Sequence, residues 1–359
     1  MSRNKKATSP RNQARKPQRH ARNDLAIDSA ANNLANSHHS STGDFSMSTE
    51  PGVTQALGPQ ITEPESTTEE TSDFQGTSKL KLYTRRFFRN RMAVVGIIIF
   101  IGLVLLSIIG PMVAKWPYFE PDFLNISSAP SPEHWFGTDG TGNDLFAQTT
   151  HGLGRTLIIA LSVSVATSIL SALIGAAAAI YGGFIEKIIL TVIHFLLAIP
   201  TFLLIALMVS DSAGDWKVLI FFLILFGWMY PARVIWALAL SVRENDYVRA
   251  AKFMGVSRNR TIVRHVVPNI GSLLIIQFAL GVVATVMSET ALSFLGLGVK
   301  IPDVSLGTLL ASGAGSIDAS PWLFYFPAAV LTALTVSMAY IADGLRDALD
   351  PNSNSGGRA

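Results

Sequence analysis

The chain has 359 residues, of which 49% are hydrophobic and only 15% are charged, against about 25% charged residues in a typical soluble domain. This balance excludes a wholly disordered chain and argues against an ordinary soluble enzyme, and the absence of cysteine excludes disulfides, zinc thiolates and cysteine nucleophiles. The formal net charge of +3 conceals an uneven distribution along the chain.

Residues 1–78 are polar and rich in Ser, Thr and Asn. They cannot bury enough apolar surface to offset the entropy of ordering, so a disordered cytoplasmic tail is predicted. Eight Lys and Arg lie within Arg3–Arg22, whereas seven Asp and Glu lie within Asp44–Asp73. We expect no signal peptide, since no short apolar run follows Met1. The tail is interpreted as solvated, and contact of its basic arm with anionic lipid or RNA is the alternative.

Six long apolar stretches follow this tail. They cover residues 92–113, 157–181, 188–209, 218–240, 270–292 and 322–341. Each is long enough to cross a hydrocarbon core of about 30 Å as a helix, and backbone groups in lipid must bond within such a helix. The sequence therefore predicts an all-α integral membrane fold with a transmembrane domain over 79–351 and a short tail over 352–359.

Basic residues are distributed unequally between the two sides of these stretches. A basic cluster over 79–91 precedes the first stretch, and the loop 241–267 carries six Lys and Arg. With six crossings, fifteen Lys and Arg fall on the side of the termini and three or four on the other. Because cytoplasmic loops carry the excess of positive charge, we expect a multi-pass protein of the cytoplasmic membrane with both termini in the cytoplasm.

No motif for catalysis or cofactor binding is evident. There is no Gly-Lys pair, hence no phosphate-binding P-loop, and no H-E-x-x-H zinc motif. No catalytic residue, cofactor or metal site is therefore predicted, and no nucleic-acid partner is expected. Polar residues inside apolar spans are candidates for function, and His194, Gln277 and Glu289 are assigned to a translocation path or outer gate. A proton relay is disfavoured, because facing acids and bases at mid-depth are missing.

The segment 241–268, between the fourth and fifth apolar stretches, is the most informative part of the sequence. Asn245 or Asp246 is expected to cap a short helix that runs to Met254. Gly255 suits the left-handed conformation that ends many helices. This pattern predicts the first limb of an elbow at the inner membrane edge.

The second limb is predicted to begin at Ser257 and to end at Pro268, before the fifth span. The pair Ala250-Ala251 is expected to keep one face of the first helix small, so that a partner can approach closely. Tyr247, together with Val248 and Met254, would offer apolar contact. The alternative is a solvated amphipathic loop whose basic residues face lipid.

This loop resembles the EAA loop of permease subunits of ATP-binding-cassette (ABC) importers. The matching positions are Ala250, Ala251, Gly255, His265, Val267 and Pro268. Three flanking segments resemble signatures of the dipeptide/oligopeptide/nickel permease family, namely Phe136–Asp139, Met287–Gly298 and Asp343–Pro351. The matches cover about residues 80–351 in the expected order, and the chain looks like a C-type peptide permease. Arg249 departs from the pattern, since it stands where the EAA loop begins with Glu.

The resemblance implies a type I ABC-importer permease that moves di- or oligopeptides. Its partners would be a second homologous permease, two ABC ATPase subunits and an extracytoplasmic substrate-binding protein, in a lipid bilayer. The implied ATPase-coupling residues are Tyr247, Arg249, Ala250, Ala251, Met254, Gly255, His265 and Pro268. The implied outer-loop motif comprises Gly137, Thr138, Asp139 and Asp144, which either contacts the binding protein or packs within the permease.

Three alternatives remain at this stage. The same machinery could import nickel chelates or oligosaccharides, since such systems select substrates largely through the binding protein. A stand-alone secondary transporter or channel is the second alternative. Mid-membrane ionisable pairs and an inverted repeat would favour it, and this sequence shows neither. A membrane scaffold would need neither polar span residues nor an elbow.

Overall fold

The computed structural model describes residues 79–349, except 213 and 301. The predicted tail 1–78 and the short tail 352–359 lie outside the described residues. The described chain is helical, apart from loops and one isolated β-bridge between Thr138 and Asp144, which confirms the predicted all-α fold.

Twelve helices are labelled here in chain order. They are α1 Lys79–Arg89, α2 Arg91–Val113, α3 Leu145–Tyr181, α4 Gly183–Ala198, α5 Thr201–Val209, α6 Trp216–Gly227, α7 Met229–Arg243, α8 Asp246–Phe253, α9 Arg258–Thr261, α10 Gly271–Phe294, α11 Leu306–Ala314 and α12 Trp322–Leu349. A π-helical turn, Ile262–Val266, and a last helical turn, Val267–Asn269, join α9 to α10.

The described helices include five apolar spans long enough to cross a membrane, and a sixth if α4 and α5 are counted together. Helices α6 and α7 form one of the five, Trp216–Arg243. Helices α4 and α5 are bent by 74° at Pro200. Ile199 is extended there, with φ −84° and ψ 133°, because a residue before proline is disfavoured in the helical region. The apolar stretch 188–209 corresponds to this bent pair of helices.

Two helical segments lie outside the apolar stretches predicted from the sequence. Helix α3 begins at Leu145, twelve residues before the apolar stretch 157–181, and the polar residues Gln148–Thr150 are buried within it. Helix α11 lies between the fifth and sixth apolar stretches, and its N-cap Ser305 forms a capping box with Thr308. Polar composition hid both helices, because their polar groups are buried against neighbouring helices rather than exposed.

Helix α3 is the centre of the packing, since the three largest core clusters each contain residues of α3. It packs against α7 most extensively and also contacts α10, α2 and α6. A Cβ atom at Gly175 would lie 2.5 Å from the Ala232 carbonyl oxygen, so only glycine allows the two backbones to approach this closely. Such contacts between small residues are how helices associate in membranes.

Candidate functional site

The predicted elbow is present, and a glycine cap forms its bend. Helix α8 ends at Phe253, and Gly255 follows with φ +79°. The amide of Val256 donates to the Ala251 carbonyl at 3.0 Å, and that of Gly255 donates to the Lys252 carbonyl at 3.1 Å. This pair of bonds is the Schellman motif, in which a left-handed residue satisfies the last carbonyls of a helix.

The second limb differs from its prediction. It begins at Arg258 as a short α-helix, widens into the π-helical turn and continues through Pro268 to Asn269. Pro268 therefore does not end the limb. Proline is tolerated there because it occupies the first turn of a new helical segment, where its missing N–H has no partner to lose. The break falls instead at Ile270, with φ −88° and ψ 2°.

The faces of α8 also differ from the expected arrangement. Val248 and Ala251 are 3% and 2% exposed and pack into the chain itself, so the prediction that Val248 offers contact to a partner is wrong. Ala250 is exposed, and the two alanines therefore do not share one small outward face. Tyr247 and Met254 are exposed, at 44% and 77%, and they lie on the same side as Ala250 because residues three and four apart are neighbours on a helix.

A hydrogen bond joins the first residues of the first limb to the last residues of the second. The side-chain amide of Asn269 donates to the Tyr247 hydroxyl, which links the start of α8 to the last turn before α10. His265 lies half-buried in the π-helical turn. Turns of this kind are frequent at functional sites.

The outer-loop motif is largely buried. Thr138 and Asp144 are 0% and 4% exposed. The Asp144 carboxylate accepts from the Ala147 amide at 2.7 Å and so caps α3. The Trp322 indole donates to the Thr138 carbonyl at 3.3 Å, which ties the loop to the start of α12. The geometry thus shows the motif packing within the chain, which is one of the two interpretations left open by the sequence.

Asp139 organises the tip of this motif. Its Oδ1 atom accepts from the Thr141 amide and hydroxyl and from the Asn143 amide, at 2.7–2.9 Å. Burial acts to raise the pKa of Asp139, but the hydrogen bonds from Thr141 and Asn143 outweigh it, so the pKa is lowered. The ionised carboxylate therefore stabilises the folded loop.

A buried histidine, missed by the sequence analysis, holds the same loop. His134 is 1% exposed. Its Nδ1 lies 2.9 Å from Asp144 Oδ2, and its Nε2 lies 3.3 Å from Asp122 Oδ2. No sequence motif pointed to this group, because the partners are ten and twelve residues away along the chain.

A second polar cluster, also missed, joins distant parts of the outer region. Asp303 accepts from Arg155 Nη2 at 2.6 Å and lies 2.9 Å from His151 Nε2. The Arg155 guanidinium lies over the Trp216 ring at 4.3 Å, and His151 stacks on Tyr118 at 3.8 Å. The cluster ties α3 to the start of α6 and to the loop before α11. Separations of about 150 residues left no local signal for it.

The three polar residues assigned to the spans lie apart from one another. His194 is exposed on α4, and Gln277 is half-buried on α10. Glu289 is 0% exposed, and its Oε1 accepts from the hydroxyls of Ser293 and Ser305 at 2.8 and 2.6 Å. No hydrogen bond or ion pair among the described residues joins any two of the three.

We expect Asp139→Asn to destabilise the outer loop, because an amide carries no charge for the donors of Thr141 and Asn143. Bonds to a charged acceptor contribute about 1.5–3 kcal/mol each, so a net loss of about 1–2 kcal/mol is expected. Because the folded pKa lies below the ordinary value, the wild-type advantage should be constant above about pH 5 and shrink below about pH 4. Thermal unfolding of the detergent-solubilised full-length chain across pH measures it.

Asp318→Asn is the matched control, since Asp318 is an exposed carboxylate of the loop before α12. It should leave the unfolding temperature within error at every pH. An equal effect of both variants, or an advantage that does not shrink at all as the pH falls below about 4, would contradict the role assigned to Asp139.

Two family models match this chain. One, described as the binding-protein-dependent transport system inner membrane component, covers residues 168–354, and one described as the N-terminal TM domain of oligopeptide transport permease C covers residues 78–130. The first match includes the elbow and the second includes α1 and α2.

Curated relatives agree with these models. The oligopeptide transport system permease protein OppC of Mycobacterium tuberculosis (strain H37Rv) is 41% identical over 77% of this chain and 96% of the relative. Those of Escherichia coli K12 and Bacillus subtilis 168 are 33% and 31% identical, over 78% and 74% of this chain and 93% and 87% of the relatives. The resemblance inferred from the sequence is thus confirmed. The chain belongs to the binding-protein-dependent inner membrane component family and is a multi-pass permease of an ABC importer, a transporter rather than an enzyme.

Proposed function

We propose that this chain moves di- or oligopeptides inward across the cytoplasmic membrane. It pairs with a second homologous permease, two ABC ATPase subunits drive it, and an extracytoplasmic binding protein delivers the peptide. The names of the curated relatives support a peptide substrate. Import of nickel chelates or oligosaccharides by the same machinery is the competing assignment.

The observation that carries the proposal is the free outer face of α8, formed by Tyr247, Ala250 and Met254. All three side chains are exposed. Tyr247 is a large amphipathic side chain and Met254 a large apolar one, and exposed side chains of this kind are suited to contact with a partner. Burying a side chain of this kind against a partner contributes about 1.5–3 kcal/mol. Ala250 between them allows close approach. We assign this face to the ATPase groove.

The opposite face of α8 connects the elbow to the membrane helices. Val248, Ile262 and Val266 belong to one core cluster, in which Ala179 of α3 and Ala239 of α7 also lie. Because packed cores transmit displacement rather than absorb it, a shift of the elbow on ATP binding moves the inner ends of α3 and α7. The helices then rock between outward-open and inward-open states.

The remaining assigned residues have narrower roles in this proposal. Gly255 and the π-helical turn with His265 shape the elbow, and Pro268 begins its last turn. His194 and Gln277 are assigned to the translocation path, since both keep polar atoms near open surface. Glu289 is assigned to the outer gate as a positioning residue, because its carboxylate meets the N-cap Ser305 of α11.

The sidedness follows from the charge distribution. The exposed bases Arg249, Lys252, Arg260 and Arg264 all lie on the elbow, and such residues concentrate on cytoplasmic loops. We therefore place the elbow and both termini in the cytoplasm, and the loop that contains Asp139 outside.

Reconstitution tests the transport assignment. Proteoliposomes that contain this chain, its companion permease, both ATPases and the binding protein should accumulate labelled tripeptide when ATP is supplied to the ATPase side. The chain alone should accumulate none, because it has no energy source of its own. Uptake of nickel but not peptide would overturn the substrate class, and accumulation by the chain alone would overturn the subunit role.

The assignment of the α8 face is tested by cross-linking. Since the chain has no cysteine, Ala250→Cys gives a single thiol on the exposed face, whereas Ala251→Cys places it in the core. With a maleimide–diazirine cross-linker, position 250 should give an adduct of ATPase mass in the assembled complex and position 251 should give almost none. Adducts at 251 alone, or at neither position, would contradict the proposal.

Gly255→Val is expected to uncouple ATP hydrolysis from uptake. Left-handed backbone costs an L-residue about 1–2 kcal/mol, more when β-branched, so the Schellman cap opens and the elbow loses its angle. A Cβ at Gly255 has open space around it, so the effect is conformational rather than steric.

Gly255→Asn is the matched control, because asparagine tolerates the left-handed region. The ratio of ATP hydrolysed to peptide transported should rise several-fold in the valine variant and stay near the wild-type ratio in the asparagine variant. Equal ratios in all three proteins would show that the bend does not transmit force.

A further inference from the structure

A basic pocket of about 470 Å³ lies beside the elbow, on a different face of α8 from the one assigned to the ATPase. It is bounded by the end of α3, the end of α7, and both limbs of the elbow. Its lining includes Tyr181, Gly182, Arg243, Arg249, Lys252 and Arg258. The established family assignment gives this pocket no role.

The pocket has more positive charge than its own acids neutralise. Arg243 donates to Glu244 at 3.1 Å and to the Ala179 carbonyl at 2.9 Å, so this arginine and the one acidic residue of the lining form a pair. Arg249 and Lys252 are exposed, and neither makes an ion pair with any carboxylate of the described residues. Their three-residue spacing places both side chains on one side of α8.

A third cation completes the ring. The Arg258 guanidinium lies 5.4 Å from the centre of the Tyr181 ring. The Tyr181 hydroxyl donates to Asn259 Oδ1 at 2.7 Å. These contacts orient Tyr181 and Arg258, but no carboxylate of residues 79–349 pairs with the positive charge of Arg258. Three cations thus surround a space that none of their own partners fills.

The position of the pocket in the fold indicates the source of an anion. Tyr181 and Arg243 are the last residues of two membrane-spanning helices, so the pocket lies at the level where a bilayer presents its phosphates. Tyrosine with basic residues is typical of this interfacial layer. Phe253, which lines the pocket, is 85% exposed and offers apolar surface there.

We propose that this pocket binds the phosphate headgroup of an anionic phospholipid of the cytoplasmic leaflet. Basic pockets between the ends of transmembrane helices bind such headgroups, and arginine matches phosphate geometry with paired N–H groups. The headgroup joins Arg249 and Lys252 of α8 to Arg258 of the second limb and to Arg243 at the end of α7.

The two faces of α8 make this site compatible with ATPase docking. Arg249 and Lys252 face the pocket, whereas Tyr247, Ala250 and Met254 face away from it. A bound lipid therefore stabilises the attachment of the elbow to α3 and α7 while the outer face stays free. A protein carboxylate from the ATPase is the competing occupant, and the test below separates the two.

Lipid retention by the full-length chain tests the site. The double variant Arg249→Gln/Lys252→Gln removes two pocket cations, and Arg260→Gln/Arg264→Gln removes two exposed cations of the same elbow that do not line the pocket. Native mass spectrometry of the purified chains, titrated with phosphatidylglycerol or phosphatidylcholine, gives the affinity. Since each cation near the surface contributes about 1 kcal/mol, the pocket variant should bind phosphatidylglycerol about 30-fold more weakly.

The control variant should bind phosphatidylglycerol within about twofold of wild type, and phosphatidylcholine should distinguish none of the three proteins. Equal losses in both double variants would show a general surface effect and overturn the proposal. Displacement of phosphatidylglycerol by millimolar inorganic phosphate would show a site for free phosphate instead. Unchanged lipid binding with loss of ATPase co-purification would assign the pocket to an acidic protein segment. Lipid binding is measured without transport, so the lipid proposal and the peptide-import proposal can fail independently of each other.

Discussion

Close contact between helices at small residues is the constraint on which the described structure depends. Lipid tails are as apolar as the helix surfaces, so burying a helix surface against another helix gains little hydrophobic free energy. The helices associate instead through van der Waals packing and hydrogen bonds. Gly175 lets α3 approach the Ala232 carbonyl of α7, and Gly152 lets it approach Ser305 before α11. The same 37-residue helix therefore organises both ends of the bundle, and the polar cluster around Asp303 and the elbow are both attached to it.

This arrangement fits the proposed role of the elbow as a mechanical element. Its cap bonds are satisfied by its own backbone around Gly255, and Tyr247 bonds to Asn269 across the bend. The angle is thus set locally, while Val248 and Val266 anchor the elbow in the core shared with α3 and α7. In the proposed mechanism, a force applied to the face of Tyr247, Ala250 and Met254 reaches the membrane helices without first deforming the elbow.

The sequence was sufficient for features that depend on local chemistry. Apolar runs about 20 residues long predicted the spans, and Gly255 predicted the helix stop, because each rule involves only neighbouring residues. It was insufficient where partners are distant. His134 pairs with Asp122 and Asp144, and Asp303 pairs with His151, through separations that no periodicity reveals. Burial also reversed one inference, since Val248 was expected outward but belongs to the core.

The division of α8 into three faces then follows from its eight residues. Val248 and Ala251 face the core, Arg249 and Lys252 face the basic pocket, and the side that carries Ala250 faces outward. A helix of two turns has room for three separate contacts only if each uses residues three or four apart. Arg249 stands where the family pattern begins with an acid, and its charge faces the pocket rather than the outward side. The departure from the family pattern therefore changes the lining of the basic pocket and leaves Tyr247, Ala250 and Met254 unaltered.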